Sequence, residues 1–405
     1  MRVLVVDPSL FTLPYDRAYC RALAEGRAEV TLVGRPLRAY EQSLAGEPFA
    51  FADLFYRGTG KQEIGWQTSR LGRLRKGVEH VLGLRALAAL AAEQAPDIVH
   101  FQWLMLPLLD RLALQRLRRR SALVLTVHNA ELTTHSTSAV VGRLGALLQG
   151  VGRQGAVLGF DHYVAHTTKT LAQLEAIGIP GNRILLRSHP PLALEAATPS
   201  PPPVTAAAGR HEILFFGQIK PYKGVDVLIE AGLILAASRR DFRITIAGRP
   251  FQPMAALRAR IEAAGAADLF RFDLDYLPDA RLAAYLAEAA VVVFPYREID
   301  GSGALALAAR YGKPIVASRV GVFAEPPVES HAELVPPEDP KALAATLGGL
   351  LDAPERLTDL GRRSAALENE LPSWQDFAAA CHETYAAIVE QRRGSGEPVG
   401  RAAEP

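Results

Sequence analysis

The chain has 405 residues, of which 49% are hydrophobic and 22% are charged. One hydrophobic core rarely serves so long a chain, so we expect a soluble protein of two or more domains. Its 45 basic and 43 acidic residues leave a net charge of +2, which disfavours a dedicated nucleic-acid binder. Cys20 and Cys381 form neither a disulfide framework nor a metal-binding spacing, and this indicates a reducing compartment.

The start of the chain predicts a strand rather than a targeting segment. Arg2 precedes only the short apolar run Val3–Val6 before Asp7, which is too short for a signal-peptide core. The sequence contains no apolar run of about 18 residues, the length that a membrane-spanning helix needs. We therefore expect a cytoplasmic protein.

Short β-branched segments alternate with longer helical patterns through the first half of the chain. This alternation predicts βαβ units, and hence a parallel sheet with helices on both faces. The predicted strands are Val3–Val6, Val30–Val33, Ile98–Phe101, Leu123–Val127, His162–Val164 and Ile184–Leu186, and the predicted helices include Leu84–Ala92 and Leu108–Leu117.

Residues 194–209 read LEAATPSPPPVTAAAG, which predicts a stiff, proline-rich linker. We expect an α/β protein with two doubly wound domains, residues 1–193 and 210–373, that face an interdomain cleft. A C-terminal helix at 374–392 can pack on either domain, and residues 393–405 are predicted to be a disordered tail. The predicted strands of the second domain are Ile213–Phe216, Phe242–Ala247, Phe270–Phe272, Val291–Phe294, Ile315–Ala317 and Leu334-Val335.

Two lysines follow the first strand of the second domain. The strand ends at Gly217, the next loop carries Lys220 and Lys223, and Gly224 precedes a predicted helix. Lysines at this spacing can both face an anion at the helix N-terminus, and each hydrogen bond to it contributes about 1.5–3 kcal/mol. A lone lysine here would more often be a solvated surface residue. The frame of Gly217 and Lys223-Gly224 favours a phosphate site.

A polar turn follows the fourth strand of the same domain. It contains Glu298, Asp300, Ser302 and Gly303, and the predicted helix Ala304–Tyr311 comes next. The N–H groups at a helix start favour an anion by roughly 0.3–1 kcal/mol through the helix dipole. Because open α/β folds bind ligands at the carboxyl edge of the sheet, this turn is a candidate binding site.

Together these segments resemble the glycosyltransferases of family four, a group of retaining enzymes with the GT-B fold. The second domain of that family has a strand, a glycine and a basic loop ending in Lys-Gly, followed later by a Pro-containing strand end and a Gly-x-Pro turn. Each short motif is weak alone, but their order and spacing are specific, most of all over residues 213–340. The matching positions are Phe216-Gly217, Lys223-Gly224, Ile246-Ala247-Gly248, Phe294-Pro295-Tyr296, Gly312-Lys313-Pro314, Leu334-Val335-Pro336 and Asp339-Pro340.

The resemblance implies a nucleotide-sugar donor bound by the second domain and an acceptor bound mainly by the first. By this analogy Lys220 and Lys223 neutralise the donor diphosphate, and the backbone N–H groups of Ser302 and Gly303 hold its oxygens. Stabilising the leaving nucleoside diphosphate lowers the barrier to transfer. The remaining donor-site residues under this reading are Gly217, Gly248 and Tyr276, the last of which borders the base pocket.

The acidic residues depart from the family pattern. Members carry a pair of glutamates spaced as residues 299 and 307 are, but those positions hold Ile299 and Leu307 here. Leu307 cannot accept a hydrogen bond from a ribose hydroxyl. Glu298 or Asp300 can replace the first glutamate at the donor sugar, and Asp300 is favoured because it is nearer the helix start.

In the first domain, the predicted strand Leu123–Val127 ends at His128. The resemblance places a histidine of this kind near the donor sugar, where a neutral imidazole can hydrogen-bond a hydroxyl or handle a proton. An isolated histidine at a strand end is more often structural. Its position favours function, and we count His128 with the candidate catalytic residues Asp300 and Glu298.

Basic residues gather in two stretches of the first domain. One interpretation is a peripheral contact with an anionic membrane that carries a lipid-linked acceptor, and the other is a solvated helix surface. The two clusters are Arg70, Arg73, Arg75 and Lys76, and Arg111, Arg116, Arg118, Arg119 and Arg120.

The sequence thus predicts a retaining glycosyltransferase that needs neither a metal nor another cofactor. It would move a sugar from a nucleoside-diphosphate donor to a hydroxyl of a glycan or lipid-linked acceptor. Two alternatives stay open: a non-catalytic sugar-nucleotide-binding homologue, suggested by Leu307, and a GT-B-like sugar-nucleotide epimerase or phosphorylase. A nicotinamide dehydrogenase is disfavoured because no G-x-G-x-x-G follows the first strand.

Overall fold

The computed structural model describes residues 1–59, 70–128, 155–192, 209–396 and 398–400. These residues form two compact units, Met1–Ser188 with Ser373–Pro405, and His189–Pro372. Each unit contains one parallel sheet with helices packed against it, so the predicted α/β class is confirmed. None of the helices in these ranges is long and apolar enough to span a bilayer.

The sheet of the first unit has seven parallel strands in the order β3-β2-β1-β4-β5-β6-β7. The order changes direction between β1 and β4, and such a switch point leaves a crevice at the carboxyl ends of the strands. The elements are β1 Arg2–Val6, α1 Leu13–Glu25, β2 Glu29–Gly34, β3 Ala50–Asp53, α2 Arg70–Gln94, β4 Ile98–Phe101, α3 Pro107–Leu117, β5 Ala122–Val127, β6 His162–Ala165, α4 Thr168–Ala176 and β7 Ile184–Leu186.

The sheet of the second unit has six parallel strands in the order β10-β9-β8-β11-β12-β13, with its switch point between β8 and β11. Short 3-10 turns at Pro221–Lys223, Ala267–Leu269 and Gly321–Ala324 join some of the elements. The elements are β8 His211–Phe216, α5 Val225–Ala236, β9 Phe242–Ala247, α6 Ala255–Ala263, β10 Phe270–Asp273, α7 Asp279–Glu288, β11 Val291–Phe294, α8 Gly303–Arg310, β12 Ile315–Ser318, α9 Val328–His331, β13 Glu333–Val335, α10 Pro340–Leu351 and α11 Pro354–Glu370.

Each sheet lies in its own hydrophobic core. Residues Ile213–Phe216 of β8 and the whole of β11 are continuous runs of buried apolar residues, as expected for parallel strands covered on both faces. The core of the second unit takes in side chains from α5, α8 and α10 as well. This packing fixes the strand ends from which the candidate site residues extend.

The final helix, α12 (Trp374–Gly394), belongs to the first unit. Its Tyr385 hydroxyl lies 2.5 Å from the Tyr19 hydroxyl on α1 and 2.5 Å from His100 Nδ1 on β4. Further along, Arg392 Nη1 donates to Asp161 Oδ2 at 3.1 Å. A buried polar network therefore holds this helix against the first sheet.

Several predicted boundaries differ from the structure. Strand β3 has no counterpart in the prediction, and α2 begins at Arg70 rather than Leu84. Residues 194–208 of the predicted linker lie outside the described residues, as do residues 397 and 401–405 of the predicted tail. The part of the tail that is described is ordered by contacts: Val399 is buried, and Gly400 N donates to Arg120 O at 2.9 Å.

Candidate active site

The lysine loop of the second unit is a tight backbone turn between β8 and α5. Lys223 N donates to Lys220 O at 3.0 Å, which closes the 3-10 turn Pro221–Lys223. Gly224 then adopts φ +64°, and α5 starts at the next residue. The turn therefore holds both lysines beside the N-terminus of a helix, as the sequence predicts.

Two glycines let this loop pack closely against neighbouring backbone. A Cβ on Gly224 would lie 1.9 Å from Pro295 O, and a Cβ on Gly248 would lie 2.0 Å from Gly217 O. Gly248 also has φ +142°, a conformation that side chains disfavour. The ends of β8, β9 and β11 thus meet at distances that only glycine permits.

Both lysine side chains are partly withdrawn from water. Lys223 Nζ lies 5.1 Å from the centre of the Tyr296 ring, and Lys220 Nζ lies 5.6 Å from that of Phe251. Burial, together with the neighbouring Lys220, lowers the pKa of Lys223 to about 7. Burial also lowers the pKa of Lys220. Two cations held close together in a poorly hydrated site favour the binding of a multivalent anion.

Ser302 and Gly303 form the start of α8. Ser302 is the N-cap, and its Oγ accepts a hydrogen bond from Leu305 N at 3.1 Å. A Cβ on Gly303 would lie 2.6 Å from the side chain of Leu192, so this position is restricted to a small residue. The predicted helix start is therefore in place, capped by the predicted serine.

The two candidate acids lie near the lysine loop. Asp300 is buried, whereas Glu298 is exposed. Burial, followed by the charges of Glu298 and then Asp300, raises the pKa of Tyr222 to about 12. Because Tyr222 belongs to the lysine turn, the acidic turn and the lysine turn face each other at the carboxyl edge of the sheet.

Arg297 joins these turns, and no sequence motif marks it. Its Nη1 and Nη2 donate to the two carboxylate oxygens of Asp226 on α5, at 3.0 and 2.7 Å. Nη1 also donates to Pro221 O at 2.7 Å, and the Arg297 backbone N donates to Tyr222 O at 2.7 Å. Its Nε donates to Glu338 at 2.8 Å. The guanidinium fork thereby fixes the backbone that carries the lysines.

Leu307 and Tyr276 extend from other elements than the lysine turn, α8 and the loop after β10. Leu307 is buried in the hydrophobic core of the second unit, where a carboxylate would be costly. Tyr276 follows β10 and is 36% exposed, and its backbone N donates to Asp275 Oδ1 at 2.7 Å. Strand β10 is the edge strand beside β9, whereas the lysines follow β8.

His128 is the one predicted site residue in the first unit. It directly follows β5, and its ring stacks on Trp103 with 5.0 Å between ring centres and 17° between planes. Its Nε2 donates to Gln102 Oε1 at 2.9 Å, and Tyr15 packs edge-on at 4.9 Å. An aromatic and polar environment thus fixes the imidazole at the carboxyl edge of the first sheet.

A buried carboxyl pair lies where β1 leads into α1, and only a weak sequence signal marks it. Asp7 at the end of β1 accepts from the backbone N–H groups of Ser9 and Thr12, each at 3.1 Å. Asp16 in the first turn of α1 is also fully buried, and burial raises the pKa of both carboxyl groups. The loop amides that a glycine-rich turn would offer to a ligand are here engaged by Asp7.

Across the described ranges of both units, no three His, Cys, Asp or Glu side chains are grouped so that they could hold a metal ion.

Two family models match separate parts of the chain. Residues 210–353 match the model described as Glycosyl transferases group 1, and residues 17–186 match Glycosyltransferase Family 4. The D-inositol 3-phosphate glycosyltransferase 2 of Catenulispora acidiphila is 33% identical over 191 residues, which cover 45% of this chain and 44% of that protein. The chain thus spans about half the length of the curated relatives that it matches.

Solved structures resemble nearly the whole chain at low sequence identity. A sucrose-phosphate synthase from Thermosynechococcus elongatus has a TM-score of 0.73 at 18% identity, covering 96% of this chain and 100% of that one. HepE from Anabaena, solved in complex with UDP, has a TM-score of 0.67 at 16% identity with the same coverage, 96% and 100%. The two parallel sheets and these likenesses define a GT-B protein. The chain belongs to glycosyltransferase family 4, the group 1 glycosyl transferases.

Proposed function

We propose that this protein is a retaining, metal-independent glycosyltransferase. It moves a sugar from a nucleoside-diphosphate donor to a hydroxyl of a glycan or lipid-linked acceptor, in the cytoplasm. The observation that carries the proposal is the pair Lys220 and Lys223, partly desolvated beside the N-terminus of α5. The solved HepE complexes with UDP and UDP-glucose support the choice of donor class.

The lysines supply the main electrostatic contribution in this proposal. When the bond between the anomeric carbon and the diphosphate oxygen breaks, negative charge grows on the leaving group. Two ammonium groups already stripped of part of their water stabilise that charge without reorganising solvent. The backbone N–H groups at the start of α8, Ser302 and Gly303, add donors to the same charge.

Retention requires that the leaving diphosphate and the incoming hydroxyl share one face of the sugar. The acceptor oxygen bonds to the anomeric carbon as the diphosphate departs, and the hydroxyl proton passes to a diphosphate oxygen. Asp300, with Glu298 as the alternative, would hydrogen-bond the donor sugar. His128, which belongs to the first unit, would hydrogen-bond a sugar hydroxyl.

A non-catalytic donor-binding protein is the second candidate, favoured by Leu307 in the hydrophobic core where relatives carry an acid. Incubation with a panel of nucleotide sugars separates the two. Release of nucleoside diphosphate that is lost in Lys223→Ala, with the circular dichroism spectrum unchanged, supports the enzyme. Donor binding without hydrolysis or transfer to any acceptor supports the second candidate.

Two further measurements address the finer parts of the proposal. Proton NMR of the first-formed product reports its anomeric configuration, which should equal that of the donor sugar. Activity should be unchanged after dialysis against EDTA. An inverted product contradicts the retaining course, and activity restored only by added Mg²⁺ or Mn²⁺ contradicts metal independence.

A further inference from the structure

Helix α2 carries a stripe of exposed apolar side chains. Leu71, Leu74, Val78 and Leu82 are 76%, 67%, 54% and 54% exposed. Their spacing of three and four residues places them on one side of the helix. Arg75 and Arg85 are exposed on the same part of the helix surface. A soluble protein usually buries such a stripe, so its exposure requires an explanation.

Helix α3, packed beside α2, carries a second stripe of the same kind. Leu108 and Leu112, one turn apart, are 53% and 61% exposed, and Arg111 and Arg116 are exposed with them. The two helices are joined by the buried pair His80 and Asp110, with His80 Nε2 2.6 Å from Asp110 Oδ1. We call the exposed sides of α2 and α3 together the apolar–basic surface.

The two segments that carry this surface are strongly basic. Residues 70–94 and 107–120 contain ten basic and three acidic residues, and one of the acids is Asp110, which is buried against His80. The other residues of the chain hold 35 basic and 40 acidic side chains, so they are net negative. The positive charge is concentrated where the apolar side chains are exposed.

We propose that the apolar–basic surface docks on an anionic lipid membrane. Leucine and valine side chains at these positions enter the boundary between head groups and acyl chains, while the arginines pair with anionic head groups. Both the apolar side chains and the arginines are needed for this docking. Arginines alone bind a membrane only weakly by charge, and apolar side chains alone do not prefer anionic lipid. This docking adds a partner to the proposed function but does not depend on sugar transfer.

Charge complementarity favours a membrane over a second copy of this chain. Two copies that met through this surface by a two-fold axis would place its exposed arginines, among them Arg75, Arg85, Arg111 and Arg116, against those of the other copy. Negatively charged lipid head groups would attract these arginines rather than repel them. Self-association therefore becomes an outcome that the test must be able to detect.

The test is co-sedimentation of the full-length protein with vesicles of phosphatidylglycerol and phosphatidylcholine, and with phosphatidylcholine alone. We expect binding to the anionic vesicles that weakens as salt is raised. The variant Leu74→Ser/Val78→Ser/Leu82→Ser should lower the partition coefficient at least tenfold. Arg85→Gln/Arg116→Gln should lower it several-fold and reduce its salt dependence. Ile234→Ser, which alters a 41% exposed apolar residue on α5 of the second unit, is the matched control and should leave binding unchanged.

Absence of binding to anionic vesicles at low salt overturns the proposal. Equal binding by the triple serine variant and the parent protein overturns it too. Sedimentation velocity without lipid completes the test: a dimer that the triple variant abolishes, together with no vesicle binding, assigns the surface to a second copy. Nucleoside-diphosphate binding by the same variants reports on the proposed function separately, because the lysine loop is not altered.

Discussion

Arg297 forms a bidentate ion pair with Asp226, with nitrogen-to-oxygen distances of 3.0 and 2.7 Å, and also donates to the carbonyl of Pro221. One side chain thus joins the acidic turn after β11, the first turn of α5 and the turn that carries Lys220 and Lys223. Parallel guanidinium–carboxylate bonds restrict orientation as well as distance. Arg297 is therefore expected to position the lysines rather than to touch the donor.

Replacing Arg297 with Ala should weaken nucleoside-diphosphate binding about tenfold, which corresponds to about 1.4 kcal/mol. Stability should change by less than about 1 kcal/mol because the ion pairs are partly exposed. Calorimetric titration and thermal unfolding measure the two effects. Arg310→Ala on α8, which removes a partly exposed ion pair to Glu368 of α11, is the matched control and should retain affinity. Equal affinity loss in both variants would contradict the positioning role.

The affinity for nucleoside diphosphate should fall as the pH rises from 7 to 9. Lys223 has a pKa lowered to about 7, so the unliganded protein loses the ammonium charge through this range and must recover a proton to bind the anion. The diphosphate is already largely ionised there, since its last ionisation lies near pH 6. Titration calorimetry in buffers of different ionisation enthalpy should show proton uptake at pH 8. Lys223→Met should bind weakly, without that uptake.

Gly248→Ala should destabilise the second unit by about 3 kcal/mol, since backbone strain alone costs about 1–3 kcal/mol. The added Cβ would lie 2.0 Å from Gly217 O. Gly265 also has a positive φ, +62°, but a Cβ added there would meet no atom within 4 Å. Gly265→Ala therefore isolates the strain and should cost about 1 kcal/mol. Urea unfolding gives both values. Equal losses of stability in the two variants would contradict a destabilising contact between the added Cβ at residue 248 and Gly217 O.

Tyr385→Phe should lower stability by about 1–3 kcal/mol, because it removes the hydroxyl shared by Tyr19 and His100 in a buried site. Burial lowers the pKa of His100 to about 3, so the imidazole cannot compensate by taking a proton at neutral pH. Thermal unfolding at pH 7 measures the loss. Tyr276→Phe, at a 36% exposed position, serves as the control and should be nearly neutral. An unchanged unfolding temperature for Tyr385→Phe would contradict a stabilising role for the network.

The repeating pattern of the chain was enough to predict both sheets and the loops at their carboxyl edges. Val291–Phe294 and Phe242–Ala247 were predicted to the residue because both are short runs rich in β-branched and aromatic residues, as buried parallel strands are. Strand β3 was missed because Ala50–Asp53 is only partly buried and lies at the sheet edge. The first half of α2 was missed because its apolar side chains are exposed. The apolar side of a helix in a folded domain is usually buried.

Local sequence marks only some of the residues in the candidate site. Lys220, Lys223 and Ser302 are marked by the glycines and helix starts around them, which are local features of sequence. Arg297 acts through Asp226 and Glu338, which are 71 and 41 residues distant, and no local pattern joins them. The pair Asp7 and Asp16 likewise depends on the fold of the loop between β1 and α1, where Thr12 Oγ1 donates to both carboxyl groups.

The most direct test of the central claim is thermal unfolding of the full-length protein against a panel of nucleoside diphosphates, with inorganic diphosphate included. Binding to the folded state alone raises the unfolding temperature by mass action. We predict that at least one nucleoside diphosphate clearly raises the unfolding temperature and that inorganic diphosphate raises it less. Neither ligand should raise it in Lys220→Ala/Lys223→Ala. No stabilisation by any member of the panel, or an undiminished rise in the double variant, would contradict a donor site at these lysines.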